Sequence, residues 1–133
     1  MARDLLVAYL AGLFDGEGSI ILRQRGRSVD FLLMASMTDR EPIELLKSTF
    51  GGGQVEYKVP PNGNKPVFRW TCHGNYAIRA LEEMLPFLTV KREKAQIALK
   101  LRKLGKFHRR TLTDEIHQQR LELCRQFREV GHL

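Results

Sequence analysis

The sequence predicts an α+β fold. Two helix–strand–strand units, in the order α-β-β-α-β-β-α, build one four-stranded antiparallel sheet, with further helices at the C-terminal end. Three observations predict it. Four short segments alternate apolar and polar residues, the period of a half-buried strand, and they fall into two pairs with glycine at their turns. Each pair follows a segment whose apolar residues recur at helical spacing. After the second pair, only helical spacing remains.

The first helix is predicted over residues 5 to 14, with Asp4 placed to cap it and the glycines after Phe14 as its stop signal. Strands follow at 19 to 25 and 29 to 37, joined at Gly26. A second helix runs from Arg40 to Phe50, with Asp39 as N-cap and Pro42 tolerated in the first turn. Gly51-Gly52-Gly53 then turns the chain into a second hairpin, with strands at about 53 to 59 and 66 to 72. Between them Pro60-Pro61-Asn62-Gly63-Asn64-Lys65 forbids regular structure. Helices at about 75 to 85, 91 to 104 and 114 to 129 complete the chain.

Such a sheet covers one face with helices and can show the other to a partner. Alternation assigns Phe68, Trp70 and Cys72 to the core side, leaving Val67, Arg69 and Thr71 outward. In the third strand Val55, Tyr57 and Val59 oppose Gln54, Glu56 and Lys58. Arg23 and Arg25 share a face with Ser19 and Ile21, while Phe31, Leu33, Ala35 and Met37 oppose Asp30, Leu32, Met34, Ser36 and Thr38. The outward set is rich in Arg, Lys, Gln, Glu and Thr, which suit base edges in a major groove and equally suit plain solvation.

With 133 residues, 43% of them hydrophobic, the chain can bury one core, so residues 1 to 133 are expected to form a single domain. Cys72 and Cys124 sit on apolar faces of predicted elements. They are expected as buried reduced thiols, and they are too few and too isolated for a structural zinc site. No apolar run is long enough to span a bilayer and no signal peptide is visible, so neither membrane insertion nor secretion is expected. With a helix close behind Met1, no presequence is expected. The expected location is intracellular, in a bacterial cytoplasm or inside an organelle that encodes the chain.

The net charge of +7 is uneven. Residues 1 to 90 hold 10 Lys/Arg against 10 Asp/Glu, whereas residues 91 to 133 hold 12 against 5. Most of the excess falls between Lys91 and Arg110, a density that suits a phosphate-contacting surface or a solvated helix face. The histidines, His73, His108, His117 and His132, share no ligand spacing.

Leu10-Ala11-Gly12-Leu13-Phe14-Asp15-Gly16-Glu17-Gly18 is the most informative stretch. Ala8, Gly12 and Gly16 recur every fourth residue, and small residues at that spacing let two helix backbones approach closely. Glycine within a helix otherwise costs about 1 kcal/mol against alanine. A second copy packed on this face would offset that cost and lay two Glu17 side chains together. The plainer alternative is that the glycines end a helix and Glu17 is solvated. A dinucleotide fingerprint is excluded, because these glycines follow a helix and precede a strand, and no Walker-type Gly-Lys-Ser/Thr is present.

These nine residues resemble the signature of the LAGLIDADG homing endonucleases, with glutamate at the second acidic place. Ser19-Ile20-Ile21, Phe50-Gly51-Gly52-Gly53 and Leu85-Pro86-Phe87-Leu88-Thr89-Val90-Lys91 also resemble that family in order and separation. One copy of the signature implies a homodimer, paired through Ala8, Gly12, Asp15 and Gly16. Asp15 is expected to bond backbone groups near that seam.

The resemblance implies a metal-dependent endonuclease that cuts a long, nearly palindromic double-stranded DNA target, leaves short 3′ overhangs and spreads the intron that encodes it. Glu17 would be the metal ligand from each subunit, joined by the backbone carbonyl of Gly16, with Mg²⁺ as the ion and Mn²⁺ able to substitute. Lys91 would stabilise charge or polarise water, and Arg40 would stand near the solvent network. Ser36 would hold a water where many members carry Gln or Asn; the neighbouring Met37 departs from the pattern. The resemblance turns the outward sheet set, Arg23, Arg25, Arg27, Gln54, Glu56, Lys58, Arg69 and Thr71, into expected DNA contacts. Two other functions fit the sequence: a non-catalytic DNA-binding regulator, and a maturase that binds intron RNA.

Overall fold

Gly16 does not stop the first helix, but Gly18 does. In the computed structural model, which describes residues 2–26, 28–105 and 113–130, α1 runs over Arg3–Glu17, through Gly12 and Gly16. Neither glycine has positive φ, so neither makes the left-handed turn by which glycine usually ends a helix. The end comes at Gly18, which is extended (φ −96°, ψ 170°) and donates its backbone N–H to the Phe14 carbonyl. A side chain there would clash, since a Cβ on Gly18 would lie 2.5 Å from the buried Phe14 ring. The expected cap also moves. Ala2 is the N-cap residue and Asp4 lies in the first turn, where its charge still favours the positive end of the helix.

The remaining elements fall within two residues of their predicted bounds. They are β1 (Gly18–Arg25), β2 (Ser28–Met37), α2 (Arg40–Phe50), β3 (Gln54–Lys58), β4 (Val67–Cys72), α3 (Gly74–Met84), α4 (Arg92–Gly105) and α5 (Asp114–Glu129). A short 3₁₀ turn at Leu85–Phe87 links α3 to the approach to α4. Asp39 occupies the N-cap position of α2, but its side chain makes no capping bond. At α5 the cap is complete: Thr113 Oγ1 accepts the Ile116 N–H at 3.1 Å. Three consecutive glycines with φ of 67°, 62° and 80° carry the chain from α2 into β3, a path closed to residues with a Cβ.

The sheet is antiparallel throughout, in the order β1-β2-β4-β3. The two hairpins meet at β2 and β4, where Leu33 pairs with Cys72 and Met37 with Phe68. One face carries Leu33, Ala35, Trp70 and Cys72, all buried against Leu10, Ala11 and Phe14 of α1, Ile43 and Leu46 of α2, and Ala77 and Leu81 of α3. Arg3 ties these helices together, donating to both Glu83 carboxylate oxygens and to the Thr49 carbonyl, each at 2.9 Å. α4 buries Ala95, Ala98 and Leu101, and α5 adds Cys124 and Phe127. Both cysteines are buried free thiols.

β2 outruns β4. Residues 28–32 pair only with β1, leaving that flank of β2 without a strand. The Phe31 N–H is satisfied by the Asp30 carboxylate (2.8 Å), and Arg102 of α4 pairs with the same oxygen at 3.4 Å. No described helix is long and apolar enough to cross a membrane.

Candidate active site and nucleic-acid interface

Three residues from two distant parts of the chain meet where α1 gives way to β1. The Asp15 carboxylate accepts the backbone N–H groups of Thr89 (2.7 Å) and Lys91 (3.0 Å). The Lys91 ammonium donates in return to the Asp15 backbone carbonyl at 2.7 Å. It also lies 6.0 Å from the Phe14 ring centroid. Asp15 therefore bonds backbone groups as expected, and the groups belong to the segment that opens α4. Burial holds the Lys91 pKa below its ordinary value, helped by the Lys94 charge and opposed by the carboxylates of Asp15 and Glu17.

Glu17, the last residue of α1, is exposed and accepts no hydrogen bond among the described residues. Gly16 is exposed too, and no described residue comes within 4 Å of the position a Cβ would take. Among the described residues no group of three or more His, Cys, Asp or Glu side chains could hold a metal ion. One chain thus offers a carboxylate and a bare backbone, hard oxygen donors that suit Mg²⁺ or Mn²⁺ only in company with other oxygens. The fit is that of half a site.

Ser36 stands at the end of β2, one step beyond the Gly18–Ala35 pair, on the face away from the helices. Its hydroxyl accepts the Arg69 Nε–H at 3.3 Å. Met37 points the other way and packs on the core. Arg40 is not brought to this group. It pairs with Glu44 (3.3 Å) and lies over the Phe68 ring, on the helix side of the sheet.

The strand ladders put the expected nucleic-acid contacts on one face. Arg23 pairs with Asp30, Arg69 with Ser36 and Glu56, and Thr71 with Met34 and Gln54. Arg25 and Lys58 follow by alternation, and Lys58 bridges to Glu56 at 3.0 Å. Arg27 lies outside the described residues, as do Lys106, Arg109, Arg110, His108 and His132. The basic stretch divides. Lys91 and Arg102 are engaged as above, and Lys94 lies 4.9 Å from the Phe127 ring, whereas Arg92, Lys100 and Lys103 are exposed.

α1 presents a second open surface. Leu5 (61% exposed) and Tyr9 (52%) lie on the same stripe as Gly12 and Gly16, with Ala8 beside it. A Cβ on Gly12 would also meet none of the described residues within 4 Å. Sequence reasoning missed Thr89 as a partner of Asp15, and nothing local could have signalled it.

Residues 4–86, more than half of the chain, match the LAGLIDADG-like domain family. The chain belongs to that family, with one copy of its signature. Among solved structures, the archaeal intron-encoded homing endonuclease I-Vdi141I complexed with DNA superposes with a TM-score of 0.78 at 17% identity, over 98% of this chain and 87% of that one. The homing endonuclease I-CvuI, in complex with its target in the presence of 2 mM Ca, gives a TM-score of 0.64 at 20% identity, over 98% of each chain. The meganuclease I-AabMI bound to uncleaved DNA gives 0.67 at 20% identity, over 88% of this chain but only 43% of that one. No curated protein sequence matches. At these identities the likeness is one of fold, that of the LAGLIDADG homing endonucleases.

Proposed function

We propose that the protein is a homodimeric, metal-dependent DNA endonuclease that cuts both strands of a long, nearly palindromic target and leaves short 3′ overhangs. Its biological role in this reading is to spread the intron that encodes it, inside a bacterial cell or an organelle. The observation that carries the reading is the juxtaposition of exposed Glu17 with tethered Lys91, at the junction of the open α1 stripe and the open sheet face. Two copies joined along α1 bring two Glu17 carboxylates together, and each sheet then reads one half-site. The match over less than half of I-AabMI supports this, because so long a chain has room for two such units.

A divalent ion held by Glu17 and the Gly16 carbonyl would supply an activated water and neutralise charge developing on phosphate. Glu17 binds and orients. Lys91 sets a positive charge beside the reacting phosphate, its position fixed by Asp15. Ser36, at the strand end, holds a water when Arg69 turns to DNA.

The test is cleavage of a randomised palindromic duplex library, with Mg²⁺ and with EDTA, by wild type and by Glu17→Gln. Metal-dependent double-strand cuts that vanish in the variant are expected. One observation favours a second reading, a DNA-binding regulator: the polar group of Ser36 is already engaged by Arg69 and Met37 faces the core. Selective binding without cuts in either protein would establish that reading instead.

A further inference from the structure

The open sheet face is not uniformly polar. Its cross-strand rows change in chemistry along the strands, and the two middle rows bring Ile21, Leu32 and Met34 together as an apolar patch. Arg25 and Arg23 stand farthest from Glu17, opposite Ser28 and Asp30. Nearest to Glu17 stand Ser36, Arg69 and Glu56. Between these polar ends Ile21 pairs with Leu32, and Met34 pairs with Ser19 on one side and Thr71 on the other.

Leu32 is only 7% exposed, yet it does not belong to the core beneath the helices. Ile21 and Met34 are partly exposed beside it. An apolar patch of this kind on a face otherwise lined mostly with charged, amide and hydroxyl groups lowers solubility without adding to the core. It calls for an apolar complement. In a major groove that complement is the C5-methyl of thymine, the one apolar group displayed on a base edge there.

Resting on the reading of this face as a DNA-binding surface, we infer that Ile21 and Met34 are specificity-determining residues that select thymine in the inner part of each half-site. The spacing follows from geometry. A strand advances about 3.3 Å per residue and duplex DNA about 3.4 Å per base pair, so one residue along β1 answers to roughly one base pair. The rows of Ser19–Met34 and Ile21–Leu32 therefore meet base pairs about two to five steps outward from the point nearest Glu17. Polar side chains on either flank read hydrogen-bonding edges, and this band reads methyl groups.

The experiment uses the full chain and duplexes recovered from a randomised library by binding in Ca²⁺. Thymines in that interval are replaced one at a time by deoxyuridine, which removes only the methyl group, and affinity is measured for wild type, Ile21→Ser and Met34→Ser. Wild type is expected to bind uracil duplexes about fourfold more weakly at one or more positions, the effect of exposing one methyl. The penalty should disappear in the variant whose side chain faced that methyl. Recovered half-sites without thymine in the interval, or equal binding of uracil and thymine, would overturn the inference while leaving the DNA-binding reading intact. Failure of wild type to select any duplex sequence would overturn both.

Discussion

Asp15 holds Lys91 from two sides: its carboxylate takes the Lys91 backbone N–H at 3.0 Å, and its own carbonyl takes the Lys91 ammonium at 2.7 Å. With the Thr89 N–H also bound, three hydrogen bonds lock the end of α1 to the start of α4. Asp15→Asn leaves one acceptor oxygen and loses one of the carboxylate bonds, so the ammonium drifts from its place. Single-turnover cleavage is expected to fall by about 10- to 100-fold, within the range for misplacing a reacting group, while DNA affinity is unchanged. In a Lys91→Met background the same substitution should cost nothing further. An additive loss in the double variant would mean that Asp15 does not act through Lys91.

Gly12 and Gly16 weaken α1 by about 1 kcal/mol each relative to alanine, and none of the described residues fills the space they leave. Gly12→Ala should therefore stabilise the single chain by up to about 1 kcal/mol in denaturant melts at low concentration. Gly12→Leu should fold equally well and sediment as a monomer where wild type sediments as a dimer. A dimeric Gly12→Leu protein would remove α1 from the seam.

Gly18 is a different case, because a Cβ there would lie 2.5–2.7 Å from three ring atoms of Phe14, which is fully buried. Gly18→Ala must push the ring or the strand, at about 1–3 kcal/mol. The thermal midpoint is expected to drop by several degrees; an unchanged midpoint would show that the ring gives way freely.

Burial pushes the Cys72 thiol up from 9.0 to about 11. A raised folded-state pKa means that folding favours the protonated thiol. This contribution is complete below about pH 9 and is lost as the pH rises towards 11. Stability of wild type should fall across that window, and Cys72→Ala, though less stable throughout, should fall less steeply. Parallel curves for the two proteins would count against a titrating Cys72.

The strands were legible because period-two alternation survives translation into structure: Phe68, Trp70 and Cys72 turned inward, and Arg69 and Thr71 outward, as their order predicts. Alternation also placed Ser36 and the basic residues of β1 on the open face. The C-terminal end of α1 was placed too early because Gly16 was read with Gly18 as the stop, whereas Gly16 is helical and only Gly18 leaves the helix. The N-terminal end was placed too late because Asp4 was read as the cap. Long-range ties were invisible. Asp15 to Thr89 and Asp30 to Arg102 join residues 74 and 72 positions apart, and no local pattern announces either. For the same reason charge density overstated the free cations of α4, since Arg102 and Lys94 have partners that only packing supplies.

The sheet order leaves β1 and β3 as its two edges. An edge offers unpaired N–H and C=O groups to any passing strand, and so invites fibre-like growth. β3 discourages this by its composition: only five residues long, it carries charges at Glu56 and Lys58 and runs into Pro60-Pro61, where an incoming ladder would find no donors. β1 ends in Arg23 and Arg25, whose like charges oppose pairing with a second copy of the strand. Sideways addition of strands is thus discouraged at both margins, and the open face is left as the surface of the sheet through which the proposed DNA contact is made.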